Sequence, residues 1–175
     1  FGAATAKSFE SAINALEGGA GSMVFPSGLS ACTHALMACV EANSHVLIAD
    51  NIYGPTRNFA DNILARMGVS VEYFDSTNLE ALTEKINHRT SVVFIESPGS
   101  MTFELSDVAA ISAISHQYGA KVLVDNSWAT PLLFQPLKHG ADISIQSVTK
   151  YIGGHSDILM GVATANAETY EQLTK

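Results

Sequence analysis

A lysine stands at the end of an apolar segment, in a setting that could make it chemically reactive. Lys150 follows the strand-like run "DISIQS" (142–147), with the hydroxyl residues Ser147 and Thr149 before it and a Gly-Gly pair after it. A lysine amine that is withdrawn from water has a lowered pKa and becomes a nucleophile. Most other lysines of the chain lack this setting and are expected at the surface. Lys150 is therefore the candidate nucleophile.

An aspartate at the end of another apolar run is the second chemical candidate. Asp125 lies in "VLVDNSW", and an isolated buried carboxylate is costly unless a cation or a hydrogen-bond donor accompanies it. Asp125 could cap the next segment, or it could face a cationic ring nitrogen or a metal ion. A metal is poorly supported, because the sequence has no His-x-x-x-His pair and no Cys-x-x-Cys pair.

A third stretch, "FPSGLSACTHAL", suits a phosphate group. Ser27 and Gly28 turn from a strand into a helix, whose first N–H groups and positive end attract anions. An ordinary tight turn with Ser27 as the N-cap explains the same residues equally well. An amine nucleophile, a phosphate site and a carboxylate for a pyridinium together describe a pocket for pyridoxal 5'-phosphate (PLP). Tyr53 could supply an aromatic face for the ring.

The elements that must position these residues alternate between strands and helices. Helix-like segments lie near 28–41, 55–67, 78–87 and 106–118, the last with Ser106-Asp107 as its N-cap. Apolar or β-branched runs lie at 21–25, 45–50, 69–74, 91–96, 121–126, 142–147 and 158–165. This alternation predicts an α/β fold with a mostly parallel seven-stranded sheet sandwiched by helices. Ligands bind such sheets beyond the carboxyl ends of the strands, where the candidate residues collect.

Composition and charge exclude several classes of function. The 175 residues are 47% hydrophobic and 15% charged, with a net charge of -8 and no cluster of Lys or Arg. We therefore expect neither nucleic acid nor an anionic membrane as a partner. Cys32 and Cys39 are seven residues apart on a predicted helix, too far for a disulfide, which indicates a reduced cytoplasmic protein. Because the chain starts without Met and stops in a helix-like stretch, we expect a fragment.

Six ordered motifs carry a resemblance to a known family. They are "LEGGAG", "FPSG", "IYGPTRNF", "FIESPGS", "VLVDNSWATP" and "SIQSVTKYIGGHSD". Over essentially all 175 residues the sequence resembles the Cys/Met metabolism family of PLP-dependent enzymes, which is related in fold to aspartate aminotransferase. Within that family it is most similar to the bacterial β-lyases that act on cystathionine. The resemblance implies that residues 1–175 are the PLP-binding large domain, without the N-terminal arm and the C-terminal domain.

The resemblance also implies a role for each candidate residue. Lys150 would bind the cofactor covalently, Asp125 would keep the pyridine nitrogen protonated, and Tyr53 would stack on the ring. Lys150, Tyr53 and Asp125 are thus the expected catalytic residues. The expected cofactor-binding residues are Ser27, Gly28, Leu29, Tyr53, Asp125, Ser147, Thr149 and Lys150. The arginine that grips the substrate carboxylate would lie outside this chain, and the family pattern implies a homotetramer built from catalytic dimers.

The expected reaction is β-elimination of cystathionine to homocysteine, pyruvate and ammonia, in methionine biosynthesis. Ser100 in "ESPGS" and Pro55 in "YGPT" favour a β-lyase over the γ-synthases and γ-lyases of the same family. Two alternatives of another class remain: a non-catalytic PLP-binding module and a nicotinamide-binding domain. The second is disfavoured because the sequence has no G-x-G-x-x-G fingerprint after a strand.

Overall fold

A seven-stranded β-sheet forms the centre of the structure, a computed structural model that describes residues 3–175. Phe1 and Gly2, with which the expected domain begins, lie outside the described residues. The strands are β1 Gly21–Phe25, β2 His45–Ala49, β3 Ser70–Phe74, β4 Thr90–Glu96, β5 Lys121–Asp125, β6 Ile143–Ser147 and β7 Gly161–Ala165. All seven coincide with predicted runs, although β7 begins three residues later than predicted.

The sheet is mostly parallel, as predicted from continuous apolar strands. Its order is β1-β7-β6-β5-β4-β2-β3. The pairs from β3 through β2, β4 and β5 to β6 are parallel, whereas β7 runs antiparallel to both β6 and β1. Consequently β1 and β6 end at the same edge of the sheet as β4 and β5, and β7 begins there.

Helices cover both faces of the sheet. They are α1 Ala4–Glu17, α2 Gly28–Ala38, α3 Gly54–Phe59, α4 Leu79–Lys85, α5 Val108–Gln117, α6 Thr130–Leu133 and α7 Tyr170–Thr174. Val24 of β1 packs in a cluster with Ile13 of α1, whereas Phe25 packs in the main core with Ala31 of α2. Because successive strand side chains point to opposite faces, α1 and α2 lie on opposite sides of the sheet.

The helices differ from the sequence prediction in length and in number. The segment predicted near 55–67 is α3 followed by a π-helical turn (60–64) and a 3-10 turn (65–67), and it ends at Gly68 with a positive φ of 84°. Asp107 caps α5 as expected, since its Oδ1 accepts the Ala110 N–H at 3.0 Å. Helix α1 was not predicted, because Ala3 at its N-cap offers no side-chain acceptor to mark the start. Among the described helices, none has the length and apolarity to cross a membrane.

A buried carboxylate fixes the amino-terminal edge of the sheet, opposite the candidate site. Oδ2 of Asp142 accepts the Val122 N–H at 2.8 Å and lies 2.9 Å from Nε2 of His116. Its Oδ1 accepts from the Asn166 side-chain amide at 3.0 Å and faces Lys121 Nζ at 3.4 Å. Backbone donation, followed by these polar partners, lowers the pKa of Asp142 although burial opposes it. Asp142 thereby joins β5, β6 and the segment after β7.

Candidate active site

One cavity of about 750 Å³ opens at the carboxyl edge of the sheet. The structure brings all the predicted site residues to its walls, although they come from four separate parts of the chain. They are Ser27, Gly28, Leu29, Tyr53, Asp125, Ser147, Thr149 and Lys150. Their convergence follows from the parallel order of β4, β5 and β6, whose carboxyl ends share this edge.

The amino end of α2 provides free backbone donors at one side of the cavity. Ser27 Oγ caps the helix by accepting the Ser30 N–H at 3.0 Å. The N–H groups of Gly28 and Leu29 have no acceptor within residues 3–175. The Ser-Gly turn is therefore both a capped helix start and a pair of unused donors at the positive end of a helix, which is a suitable place for a phosphate.

A close contact between α2 and β6 explains why glycine occupies position 28. A Cβ built on Gly28 would lie 2.6 Å from both Cβ and Oγ of Ser147. A Cβ on Gly161, which is the register partner of Ser147, would lie 2.2 Å from the Ser27 carbonyl oxygen. Both glycines thus allow the helix start to approach the ends of β6 and β7.

The two predicted hydroxyls differ in their availability. Thr149 Oγ1 donates to the Met160 carbonyl at 3.2 Å and accepts the Met160 N–H at 3.0 Å, which ties the turn after β6 to the start of β7. The hydroxyl of Ser147 has no partner within residues 3–175, and its own N–H donates to Ser127 Oγ at 2.6 Å. Only the Ser147 hydroxyl is therefore free to donate into the cavity without breaking a bond.

Asp125 is a buried carboxylate that pairs with no cation among the described residues. Its exposed fraction is 8%, and burial raises its pKa. Oδ1 accepts the Ser127 N–H at 3.0 Å, and the thiol of Cys32 donates to Oδ2 at 3.5 Å. None of the salt bridges in the described part of the chain involves Asp125. A cationic ring nitrogen placed in the cavity would supply the missing partner.

Glu96 is a second carboxyl group in this cavity, and the sequence offered no reason to assign it a role. It ends β4 as the register partner of Asp125 in β5. Its Oε2 accepts the Tyr53 N–H at 2.7 Å. Burial, with the charge of Asp125 as the second cause, raises the pKa of Glu96 to about 8. The sequence shows that each carboxylate ends a predicted strand, whereas the pairing of the two strands comes from the structure.

Lys150 lines the cavity but is exposed, so the expectation that it would be withdrawn from water is wrong for this structure. The reason is that β6 ends at Ser147 and a turn carries the chain outward, with the Lys150 N–H donating to the Ser147 carbonyl at 3.0 Å. Tyr53 also lines the cavity, at the N-cap of α3, with 48% of its side chain exposed. The amine and the aromatic ring are thus both accessible to a ligand.

Three aromatic side chains at the cavity mouth were not predicted as part of the site. Trp128 makes edge-to-face contacts with Phe103 and Tyr151, at centroid distances of 6.2 and 6.3 Å. Their exposed fractions are 47%, 60% and 63%, respectively. Trp128 follows Asp125 by three residues, but Phe103 and Tyr151 lie in turns where no periodic pattern could reveal them. They form an apolar rim beside the polar floor of the cavity.

The residues present fit PLP. The unused N–H groups of Gly28 and Leu29 suit its phosphate, and Asp125 suits its ring nitrogen because the carboxylate has no cation of its own. Tyr53 can cover the ring, and Lys150 brings an amine to the same cavity. No cluster of three or more His, Cys, Asp or Glu side chains suited to a metal ion occurs in the described residues.

Comparisons with known proteins agree with this chemistry. The sequence model of a family described as "Cys/Met metabolism PLP-dependent enzyme" matches residues 1–175. A Rhizobium johnstonii protein named "Putative cystathionine beta-lyase" is 51% identical over 162 residues, which are 93% of this chain and 41% of that protein. Further relatives named cystathionine β-lyase are 38% to 41% identical.

Two further proteins resemble this chain: one is an enzyme named for a different activity, and the other is a solved structure with a similar fold. The L-alanine/L-glutamate racemase of Wolbachia pipientis is 41% identical over 172 residues, which are 98% of this chain and 42% of the racemase. The crystal structure of MetB from Corynebacterium glutamicum superposes with a TM-score of 0.95 at 31% identity, covering 98% of this chain and 45% of that one. The chain therefore spans about half the length of the proteins it matches, or less.

Proposed function

This chain belongs to the Cys/Met metabolism family of PLP-dependent enzymes, and from that premise we propose that it forms the cofactor-binding part of a carbon–sulfur lyase. The proposed reaction is β-elimination of cystathionine. With one water molecule, cystathionine gives homocysteine, pyruvate and ammonia, and the bond that breaks is between Cβ and sulfur. The observation that carries the proposal is the single cavity where a carboxylate, an amine, an aromatic ring and free helix N–H groups converge.

When bound, PLP supplies an electron sink for the pair of electrons left when a substrate loses its Cα proton. The chain's residues would hold and complement that sink. The N–H groups of Gly28 and Leu29, with the Ser147 hydroxyl, would bind the phosphate, and Asp125 would hold a proton at the ring nitrogen. Tyr53 would cover one face of the ring and exclude water from it.

Lys150 would anchor the cofactor and then move the proton. Its Nζ would be the amine of the cavity that accepts the Cα proton of the substrate, because the turn after β6 brings Lys150 to the cavity wall. Lys150 is exposed in this structure, so its side chain has room to change its orientation. Trp128 and the other rim aromatics would contact the apolar thioether chain of the substrate.

The names of the relatives support the choice of β-elimination within the family. Most of the relatives described above carry the name cystathionine β-lyase, and they share 38% or more of aligned residues with this chain.

Cys32 and Cys39 are both free thiols, in keeping with a reducing cytoplasm. The homotetramer expected from the family resemblance is part of the same proposal, and sedimentation of the purified protein measures it.

Racemisation is a second candidate, because the Wolbachia racemase, at 41% identity, is as similar to this chain as the Escherichia coli cystathionine β-lyase, at 40%. Both reactions begin with removal of the Cα proton, so the same cavity serves either. They differ in the substrate and in what happens next: a leaving group departs from Cβ, or the proton returns on the opposite face. Product analysis separates them.

The test begins with the cofactor. The protein at its full natural length is incubated with PLP and reduced with borohydride, and the pyridoxyl group is mapped by peptide mass spectrometry. We expect the label on Lys150, its loss in Lys150→Ala, and its retention in Lys7→Ala, a control on α1. A label spread over surface lysines in the wild type would overturn the proposal.

The second step identifies the reaction. With cystathionine as substrate, we expect pyruvate and homocysteine in equal amounts. Formation of 2-oxobutyrate would indicate γ-elimination instead. D-alanine or D-glutamate formed from the L-amino acid, without pyruvate from cystathionine, would indicate the racemase. A labelled Lys150 without any turnover would favour the non-catalytic PLP-binding module.

A further inference from the structure

Two carboxyl groups lie side by side in the cavity, and the proposed function uses only one of them. Glu96 and Asp125 are register partners at the ends of the parallel strands β4 and β5. Neighbouring strands lie about 4.8 Å apart, and paired residues project from the same face of the sheet. Both side chains line the cavity. A desolvated acid pair is costly, so its presence calls for a reason.

The contact that Glu96 makes points to that reason. Its Oε2 accepts the Tyr53 N–H at 2.7 Å, while the Tyr53 carbonyl accepts the first N–H groups of α3, from Thr56 and Arg57, at 3.0 and 3.2 Å. The Tyr53 backbone is thus held on one side by its own helix and on the other by Glu96. The Tyr53 ring itself is half exposed and lines the cavity.

We infer that Glu96 is a positioning residue, whose carboxyl group fixes the backbone of Tyr53 and thereby the aromatic face of the cavity. Glu96 is the protonated member of the acid pair, so the negative charge of the pair lies on Asp125. The inference rests on the proposed function, because it concerns the place of the cofactor ring. It assigns Glu96 no contact with the substrate and no step in the reaction.

The surroundings of the two carboxyl groups agree with a neutral Glu96 and a negative Asp125. Burial raises the pKa of both carboxyl groups, and the charge of Asp125 raises the pKa of Glu96 further. Asp125 has the Ser127 N–H and the Cys32 thiol as donors, and a ring cation opposite it would draw the charge further to its side. The other titratable side chains that line the cavity are those of Cys32, Tyr53, Lys150 and Tyr151.

A first experiment tests the hydrogen bond without the cofactor. Glu96→Gln keeps a side-chain oxygen that can accept the Tyr53 N–H, whereas Glu96→Ala removes it. Amide hydrogen exchange at Tyr53 in the PLP-free protein should speed up about tenfold or more in Glu96→Ala, since one hydrogen bond contributes roughly 1.5 kcal/mol, and should change little in Glu96→Gln. Unchanged protection at Tyr53 in Glu96→Ala would overturn the inference.

A matched control is available on another helix. Glu10 of α1 accepts the Val24 N–H through Oε1 at 3.0 Å, so it makes the same kind of bond outside the cavity. Glu10→Ala should speed exchange at Val24 and leave exchange at Tyr53 unchanged. A change at Tyr53 in this control would mean that the exchange reports general loosening and would refute the specific contact.

A second experiment tests the charge. In the PLP-bound protein, the inference makes Glu96 neutral, and the glutamine of Glu96→Gln is neutral as well. The apparent pKa of the visible absorbance of the cofactor should therefore be the same in Glu96→Gln as in the wild type, whereas a negative Glu96 would make it fall by about one pH unit in the variant, as expected for the loss of a charge a few ångströms away. Glu10→Gln should not move it.

The outcomes separate the inference from the proposed function. If the wild type binds no PLP, the proposed function fails, and exchange at Tyr53 alone decides the role of Glu96. If PLP binds but the apparent pKa of the absorbance falls by about one pH unit in Glu96→Gln, the proposed function stands and the neutral state inferred for Glu96 is wrong. Restored PLP affinity in Glu96→Gln relative to Glu96→Ala supports the positioning role.

Discussion

Replacing Gly28 with alanine tests the phosphate site most directly. A Cβ at position 28 would lie 2.6 Å from Cβ and Oγ of Ser147, where ordinary van der Waals contact begins at 3.4 Å. The Oγ can rotate away, but the Cβ of Ser147 is fixed by the backbone, so the start of α2 must move away from β6. Overpacking of this kind costs about 1–3 kcal/mol. The displaced N–H groups are those proposed to bind the phosphate.

If the free energy lost by overpacking weakens ligand binding by the same amount, the affinity for PLP should fall by roughly 5- to 150-fold. The assay is a titration of the PLP-free protein, followed by absorbance, with PLP and in parallel with pyridoxal, which lacks the phosphate. We expect Gly28→Ala to weaken PLP strongly and to leave pyridoxal within about twofold. Gly54→Ala is the matched control, because Gly54 also begins a helix and its Cβ would meet nothing within 4 Å.

A double substitution adds a further check. A Ser147→Gly background removes both contacts at 2.6 Å and leaves the Cα of residue 147 at 3.0 Å, so Gly28→Ala should there have a smaller effect on PLP. The two changes should therefore be coupled. PLP affinity that is unaltered in Gly28→Ala, or an equal loss for PLP and pyridoxal, would refute the assignment of this helix start to the phosphate.

Three further predictions concern stability. Asp142→Asn replaces one of two accepting oxygens and should lower the free energy of unfolding by about 3 kcal/mol in urea denaturation at pH 7. Since the pKa of Asp142 is lowered in the fold, the difference in stability between wild type and variant should shrink as the pH falls below about 4. A difference that stays constant with pH would contradict this prediction. Burial raises the pKa of Glu17, so the wild type should lose stability as the pH rises above about 4.5, and Glu17→Gln should remove part of that slope. Ser27→Ala removes the cap of α2 and should cost about 1 kcal/mol, measured as a lower thermal midpoint; an unchanged midpoint would mean that water replaces the cap.

Much of the fold was readable from local sequence. The strands were predicted because each is a short apolar or β-branched run, and these runs depend only on residues next to one another. Asp107 marked the start of α5 in the same local way. The alternation of strands and helices then implied a mostly parallel sheet. Because the strands of such a sheet end at one edge, where ligands bind, Asp125 and Lys150 were both expected at that edge.

Other features are contacts between residues distant in sequence, and no local pattern encodes them. The antiparallel direction of β7 follows from its pairing with both β1 and β6. Helix α1 is stabilised by packing on the sheet instead of by a cap, so its start carries no sequence signal.

The chemistry of the cavity divides in the same way. The residue types that reach the carboxyl edge follow from local sequence, because strand ends are local features. The place of Glu96 beside Asp125, its bond to Tyr53 and the exposure of Lys150 follow from the packed fold. Register, desolvation and exposure are set by which strands become neighbours and by where a turn leaves the sheet, and these depend on contacts along the whole chain.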